Sequence, residues 1–234
     1  MPTVQVNDIA VYYETHGTGT PLVLIGGLGA DITMHRAIIQ WLAQNHQVVA
    51  FDNRGAGRTD KPDTPYTIEM MAADTLGLMD TLSIARAHVL GISMGGRIAL
   101  ELELSHPDRV EKLILVSTSA KGRGKIAMSL PMRLLPPLQW IPVLRGKYPQ
   151  PRYAHVRQRQ AAVSYDATDR LGQIHTPTLI LHGRRDRSIP LAMAQQLHAG
   201  IPRSKIEVFA GGHMFALFGE RQHFLDRVGE FLPG

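Results

Sequence analysis

The strongest constraint on the fold is a series of eight short apolar runs, most of them containing Val or Ile, with helix-like stretches between the later ones. Runs such as Leu22–Ile25 and Leu113–Val116 are continuously hydrophobic, which is typical of strands buried on both faces of a parallel sheet. The first two runs lie close together and predict an antiparallel pair. The pattern therefore predicts an α/β fold, with a mostly parallel sheet covered by helices on both sides. The predicted strands are Val4–Val6, Ile9–Tyr13, Leu22–Ile25, Val48–Phe51, His88–Leu90, Leu113–Val116, Thr178–Leu181 and Ile206–Phe209, and the clearest predicted helices are Asp31–Gln44, Ile68–Leu82, Gly95–Ser105, Leu191–Ala199 and Glu220–Phe231.

One segment, from about residue 118 to residue 169, has no strand pattern and is divided by prolines. A structureless loop of this length is uncommon in a compact domain, so a short cap made of short helices and irregular chain is expected, with a poorly ordered linker as the alternative. The predicted organisation is a core at 1–118 and 170–234 and a cap at 119–169. Trp140, in the cap, is predicted to contact the substrate.

Composition narrows the possible partners and location. The net charge of +5 is concentrated between Glu111 and Asp166, a stretch that holds basic residues and no acidic ones. It indicates either a solvated surface or an attraction for anionic substrates or surfaces, and no nucleic-acid motif accompanies it. No apolar run approaches the roughly 18 residues of a membrane span. A sequence without cysteine or a signal-peptide pattern is expected in the cytoplasm, while the oligomeric state stays open.

The segment Gly91-Ile92-Ser93-Met94-Gly95 carries the clearest chemical signal. It directly follows a predicted strand and opens a predicted helix, the context of a nucleophile elbow. A serine on such a sharp turn projects its oxygen above the sheet, and the flanking glycines let strand and helix pack closely. Ser93 is therefore the predicted nucleophile.

A serine hydroxyl needs a base to take its proton. Among eleven histidines, His213 follows the last predicted strand, which places it at the edge of the sheet where ligands bind. His182, at another strand end, is the second choice, and His35 is a candidate for lining the site.

The base needs an acidic partner that fixes its orientation. Asp186 lies just past the Thr178–Leu181 strand, so it emerges on the same edge, and the order Ser, Asp, His is that of the nucleophile-elbow enzymes. An N-terminal helix cap is the alternative role for Asp186. Asp166 and Asp169 are weaker candidates.

Acyl transfer also needs N–H donors for the oxyanion. The backbone N–H groups of Met94 and of Leu28, in the loop Gly26–Gly29, are the predicted donors, and Gly27 is predicted to line the substrate site. A plain glycine turn is the alternative. No phosphate-binding motif and no convincing zinc spacing occur, so no cofactor and no metal are expected.

Taken together, these motifs resemble the α/β-hydrolase superfamily in its serine esterase and lactonase branch. The resemblance covers roughly residues 1–118 and 170–234. It implies an eight-stranded sheet, a cap after the sixth strand and two-step ester hydrolysis without a cofactor. A serine at position 93 argues against the haloalkane dehalogenases and epoxide hydrolases, whose nucleophile is aspartate. The matching segments are Ile25–Gly29, Phe51–Gly57, Gly91–Gly96, Leu181–Asp186 and Gly211–His213.

Two departures from the family pattern stand out. Gly26 occupies a position where the family often has histidine, so any role of that histidine in shaping the oxyanion loop is absent. The cap is also short, which favours an open acyl pocket and broad substrate tolerance.

The predicted function is that of a serine carboxylic-ester hydrolase, which acts on small to medium acyl esters through an acyl-enzyme. The nearest alternative is an enol-lactone hydrolase of the 3-oxoadipate enol-lactonase type, and other acyl or carbon–carbon bond hydrolases share the same site. A surface-associated lipase is a third possibility. A non-catalytic binding protein is the least favoured reading, because the serine, aspartate and histidine are all present.

Overall fold

Eight strands form one sheet in the computed structural model, which describes residues 3–122 and 147–232. All eight predicted strands are present, each extended by one to three residues at one or both ends. The predicted substrate contact, Trp140, lies outside the described residues. The strands are β1 (Thr3–Val6), β2 (Ile9–His16), β3 (Thr20–Ile25), β4 (His46–Phe51), β5 (Ala87–Ile92), β6 (Val110–Val116), β7 (Thr178–Gly183) and β8 (Ser204–Phe209).

The order of the strands across the sheet is β1-β2-β4-β3-β5-β6-β7-β8. Strand β2 pairs antiparallel with both β1 and β4, and from β4 to β8 every pairing is parallel. The carboxyl ends of the parallel strands therefore share one edge, where ligands bind in open α/β sheets. The predicted fold class is confirmed.

Six α-helices lie within the described ranges. A difference from the prediction occurs at Asp31–Gln44, where the chain forms a 3₁₀ turn, Ile32–His35, before the helix begins. The Asp31 carboxylate accepts a hydrogen bond from the N–H of Thr33, which supports that tight turn. The helices are α1 (Arg36–Leu42), α2 (Ile68–Thr81), α3 (Met94–Ser105), α4 (Arg152–Ser164), α5 (Leu191–Gly200) and α6 (Arg221–Phe231).

The core has two layers, one on each face of the sheet. Alternate residues of a strand point to opposite faces, so Val23 and Ile25 of β3 pack with α2 and α3, whereas Leu22 and Leu24 pack with α1 and α6. Both layers are apolar, which explains why the parallel strands read as continuous hydrophobic runs.

The predicted cap is described only in part, at 119–122 and 147–169. The two ends of this segment meet, because Gly122 N–H donates to Tyr165 O at 2.8 Å and Ala167 N–H donates to Ala120 O at 2.9 Å. Helix α4 precedes the second end in sequence and packs on the core through Ala161 and Ala162. The division into a core and a cap stays a prediction. Within the described ranges, no helix is long and apolar enough to cross a membrane.

Candidate active site

Ser93 occupies the sharp turn between β5 and α3. Its backbone has φ 56° and ψ −114°, in the left-handed region that costs energy for a residue with a side chain. Two hydrogen bonds hold the turn: Ser93 N–H donates to Val116 O at 2.8 Å, and the Thr118 hydroxyl donates to Ser93 O at 2.7 Å. The neighbouring strand and the segment after it therefore maintain the strained conformation.

The glycines of this turn are required by close packing. A Cβ at Gly91 would lie 2.4 Å from Gly95 O, and a Cβ at Gly95 would lie 2.2 Å from Ile25 O. Both distances are far below van der Waals contact, so no larger residue fits without a backbone shift. The glycine spacing seen in the sequence is thus explained by strand–helix contact.

Three side chains form a continuous hydrogen-bonded chain at this edge of the sheet. His213 Nε2 lies 3.0 Å from Ser93 Oγ, and His213 Nδ1 lies 2.6 Å from Asp186 Oδ2. The arrangement is satisfied when Nδ1–H donates to the carboxylate and Nε2 accepts from the serine hydroxyl. The structure therefore brings together the three residues that the sequence analysis selected, although their roles remain a prediction.

Asp186 is held in place by its own turn. Its side chain is fully buried, and Oδ1 accepts hydrogen bonds from the N–H groups of Ser188 and Ile189, each at 2.8 Å. The capping role considered for Asp186 is not observed, because helix α5 has Pro190 at its N-cap and no side-chain cap. One carboxylate oxygen instead holds the loop before α5 and the other contacts His213.

The loop that carries His213 is held by residues of neighbouring elements. The Ser117 hydroxyl, just after β6, donates to the backbone oxygen of His213 at 3.0 Å. The Glu220 carboxylate accepts hydrogen bonds from the N–H groups of Ala210 and Gly211. Ser117 has a positive φ of 47°, a conformation uncommon for serine. The sequence analysis missed Ser117, because a serine after a strand has no distinguishing pattern.

The other candidate bases and acids lie in different surroundings from those of His213 and Asp186. His182 is buried, its Nε2 lies 2.9 Å from Ile189 O, and burial lowers its pKa. It supports the turn behind Asp186. Asp166 and Asp169 are exposed near the end of the predicted cap. His35 is buried behind the glycine loop, where burial lowers its pKa to about 4 and keeps the ring neutral.

The loop after β3 approaches the serine closely. A Cβ at Gly27 would lie 3.3 Å from Ser93 Cβ and 3.9 Å from Ser93 Oγ, so glycine permits this approach. Met94 is the first residue of α3, where backbone N–H groups lack an intrahelical acceptor. Within residues 3–122 and 147–232, the N–H of Leu28 has no acceptor either. Two unused donors thus lie on segments that adjoin Ser93.

Comparison with known proteins gives the family. A family model described as the α/β-hydrolase fold matches residues 20–151, which is more than half of the chain. The chain belongs to the α/β-hydrolase family. This α/β hydrolase is 32% identical to a protein named carbamate hydrolase RutD from Azorhizobium caulinodans, over 92% of each chain. It is 29% identical to a poly(3-hydroxyalkanoate) depolymerase from Ectopseudomonas oleovorans, over 85% of this chain and 79% of the relative.

Solved structures extend the similarity over the whole hydrolase. The enol-lactonase from Burkholderia xenovorans LB400 is 27% identical, covers 100% of both chains and superposes with a TM-score of 0.86. The esterase EaEST from Exiguobacterium antarcticum is 27% identical over 99% of both chains, with a TM-score of 0.83. The resemblance to esterases and lactonases of this fold is therefore confirmed. In the described parts of the α/β hydrolase, no three His, Cys, Asp or Glu side chains are grouped as a metal site requires.

Proposed function

We propose that the protein is a serine carboxylic-ester hydrolase that acts through an acyl-enzyme on Ser93. The observation that carries the proposal is the hydrogen-bonded chain from Ser93 Oγ through His213 to the buried Asp186, with distances of 3.0 and 2.6 Å. A nucleophile, a base within hydrogen-bond reach and a group that orients the base are what acyl transfer by serine requires.

In the first step, Ser93 Oγ attacks the ester carbonyl carbon while His213 Nε2 takes the hydroxyl proton. Asp186 keeps the ring in the tautomer that can accept at Nε2 and stabilises the imidazolium that forms. The developing oxyanion accepts hydrogen bonds from the N–H groups of Leu28 and Met94, whose helix N-terminus also favours negative charge. The alcohol then leaves with the proton from His213.

In the second step, water attacks the acyl group on Ser93. His213 takes a proton from the water and returns it to Ser93 Oγ as the acid is released. The cycle consumes one water, forms one acid and one alcohol, and restores the enzyme. Small to medium acyl esters are the proposed substrates, and the absence of cysteine agrees with a cytoplasmic location.

Replacing the nucleophile tests the proposal. Ser93→Ala is expected to lower kcat on p-nitrophenyl butyrate by about 10⁴- to 10⁶-fold, as loss of a nucleophile typically does. Ser83→Ala is the matched control, because Ser83 is exposed and has the same φ of 56° outside the site. Normal hydrolysis by a folded Ser93→Ala protein overturns the proposal.

Lactone hydrolysis is a second candidate for the same site. It is favoured by the similarity to the enol-lactonase of Burkholderia xenovorans LB400 and by the basic segment between Glu111 and Asp166, which would attract a lactone that bears a carboxylate. Ring opening uses the same acyl-enzyme. Rates on 3-oxoadipate enol-lactone, on neutral p-nitrophenyl esters from acetate to laurate and on phenyl carbamate distinguish an enol-lactonase from an ester or carbamate hydrolase.

A further inference from the structure

Helix α4 presents one polar side chain on its buried face. The buried residues of this helix are three alanines and Gln158, at a spacing that places them on a single stripe. Gln158 has no exposed surface. Burying an amide is unfavourable unless its donors and acceptor are satisfied, so the partners of Gln158 show what it does.

Gln158 connects two loops that lie far from it in sequence. Its Oε1 accepts a hydrogen bond from Gly29 N–H at 3.0 Å, and its Nε2 donates to Arg54 O at 2.7 Å. The side chain of Gln150 donates to Gln158 Oε1 at 3.2 Å and to Gly55 O at 2.9 Å. The Gln158 amide therefore has one satisfied orientation, because the flipped amide would place NH₂ against the Gly29 N–H.

The contact with Gly29 also requires a glycine at that position. Gly29 has a φ of +72°, and a Cβ there would lie 2.6 Å from Gln150 Oε1. The backbone at residue 29 is therefore packed directly against the two glutamines. A loop held in this way has little freedom to rotate its peptide groups.

The peptide groups on both sides of Leu28 are fixed. Gly27 O shares a peptide with the Leu28 N–H and accepts from Ala30 N–H at 3.2 Å, and since the peptide is trans and planar this sets the direction of the Leu28 N–H. The next peptide carries the Gly29 N–H bound to Gln158. The Asn53 side chain donates to Gly26 O at 2.9 Å and fixes the preceding peptide.

We propose that Gln158, supported by Gln150, is a positioning residue that orients the Leu28 N–H toward the oxyanion formed at Ser93. This inference rests on the proposed function, because it assigns helix α4 a role in the acyl-transfer step. Preorganised donors stabilise a transition state only when they already point at the developing charge. The glutamine pair supplies that preorganisation without touching the substrate.

The test replaces Gln158 with an apolar residue of similar length. Gln158→Met is expected to lower kcat on p-nitrophenyl butyrate by about 10- to 100-fold with KM changed by less than about threefold, because the interaction is made in the transition state. A trifluoromethyl ketone, which forms an oxyanion on the serine, is expected to bind weaker by the same factor. Tyr165→Phe is the matched control, since it removes the 3.0 Å hydrogen bond to Glu101 just beyond the other end of α4 and leaves the loop untouched.

An unchanged kcat and an unchanged inhibitor affinity in folded Gln158→Met overturn the inference, as does an equal loss in Tyr165→Phe. If Gln158→Met does not fold, Gln150→Met provides the test, with an expected three- to tenfold loss of kcat; an unchanged kcat again overturns it. Ser93→Ala distinguishes a failure of the proposed function from a failure of the positioning role of Gln158. If that variant is inactive while Gln158→Met is normal, the positioning role fails and the proposed function stands.

Discussion

Two loops face each other across Ser93, and different parts of the chain hold them. The glycine loop (residues 26–31) is held by Asn53, which follows β4, on one side and by Gln158 of helix α4 on the other. The histidine loop (residues 211–219) is held by side chains of the sheet edge and of the adjoining helix, namely Ser117, Asp186 and Glu220. The proposed proton-transfer groups therefore depend on the core, whereas the proposed oxyanion donor Leu28 depends also on helix α4.

This difference implies that the two proposed functions of the site can be weakened separately. Changes at the histidine loop are expected to affect proton transfer from Ser93. Changes at the glycine loop are expected to affect stabilisation of the oxyanion, with the base still in place.

The largest expected effect lies on the histidine side. Asp186→Asn keeps the shape of the side chain but favours the other tautomer of His213, so kcat is expected to fall by about 10³- to 10⁴-fold. The measurement is steady-state hydrolysis of p-nitrophenyl butyrate, with circular dichroism to verify folding. A loss smaller than tenfold contradicts the role given to Asp186.

A pair of glycine substitutions compares the loops directly. Gly29 and Gly219 both have positive φ, +72° and +82°, but a Cβ at Gly219 meets nothing within 4 Å. Both alanine variants should lose about 1 kcal/mol or more of stability from backbone strain. Only Gly29→Ala, which also displaces Gln150, is expected to lower kcat, by about tenfold or more. Equal kcat values in the two variants would show that the glycine loop tolerates displacement.

A third prediction concerns pH and a histidine behind the glycine loop. His35 lies behind this loop with both ring nitrogens unpartnered among the described residues, and burial lowers its pKa to about 4. In the unfolded chain His35 takes up a proton near pH 6.5, whereas in the folded protein it takes up a proton only near pH 4. The share of the unfolding free energy that depends on neutral His35 is therefore fully present above pH 6.5. It falls as the pH drops toward 4, by about 2 kcal/mol between pH 7 and pH 5.

His35→Leu is expected to remove that share of the pH dependence in urea unfolding at pH 5 and pH 7. His88→Leu is a parallel test, because burial lowers the pKa of His88, in β5, to about 4 as well, so this variant is expected to lose its own share of the pH dependence. An unchanged pH dependence in His35→Leu would mean that folding does not lower the pKa of His35.

The two loops also differ in how far the sequence predicts them. The eight strands could be predicted because buried parallel strands are continuously apolar. Ser93, Asp186 and His213 could be selected because the carboxyl ends of such strands share an edge. The spacing of apolar residues did not predict that a 3₁₀ turn ends at His35 and that α1 begins only after it.

The partners of the glycine loop could not be predicted. Gln158 is a single glutamine on a stripe of alanines, and its burial depends on where α4 packs, which no local pattern indicates. Ser117 and Thr118 likewise contribute through tertiary contacts to His213 and Ser93. Sequence patterns therefore predicted the three side chains proposed to react, but not the side chains that hold them in place.

The proposed function depends on Ser93 being a nucleophile that His213 activates. The most direct measurement is labelling with a fluorophosphonate followed by peptide mass spectrometry, in the wild-type protein and in His213→Ala. If His213 activates Ser93, one adduct per chain is expected, on Ser93, with a labelling rate at least about 100-fold lower in the variant. An adduct on another side chain, or equal rates in the two proteins, would contradict it.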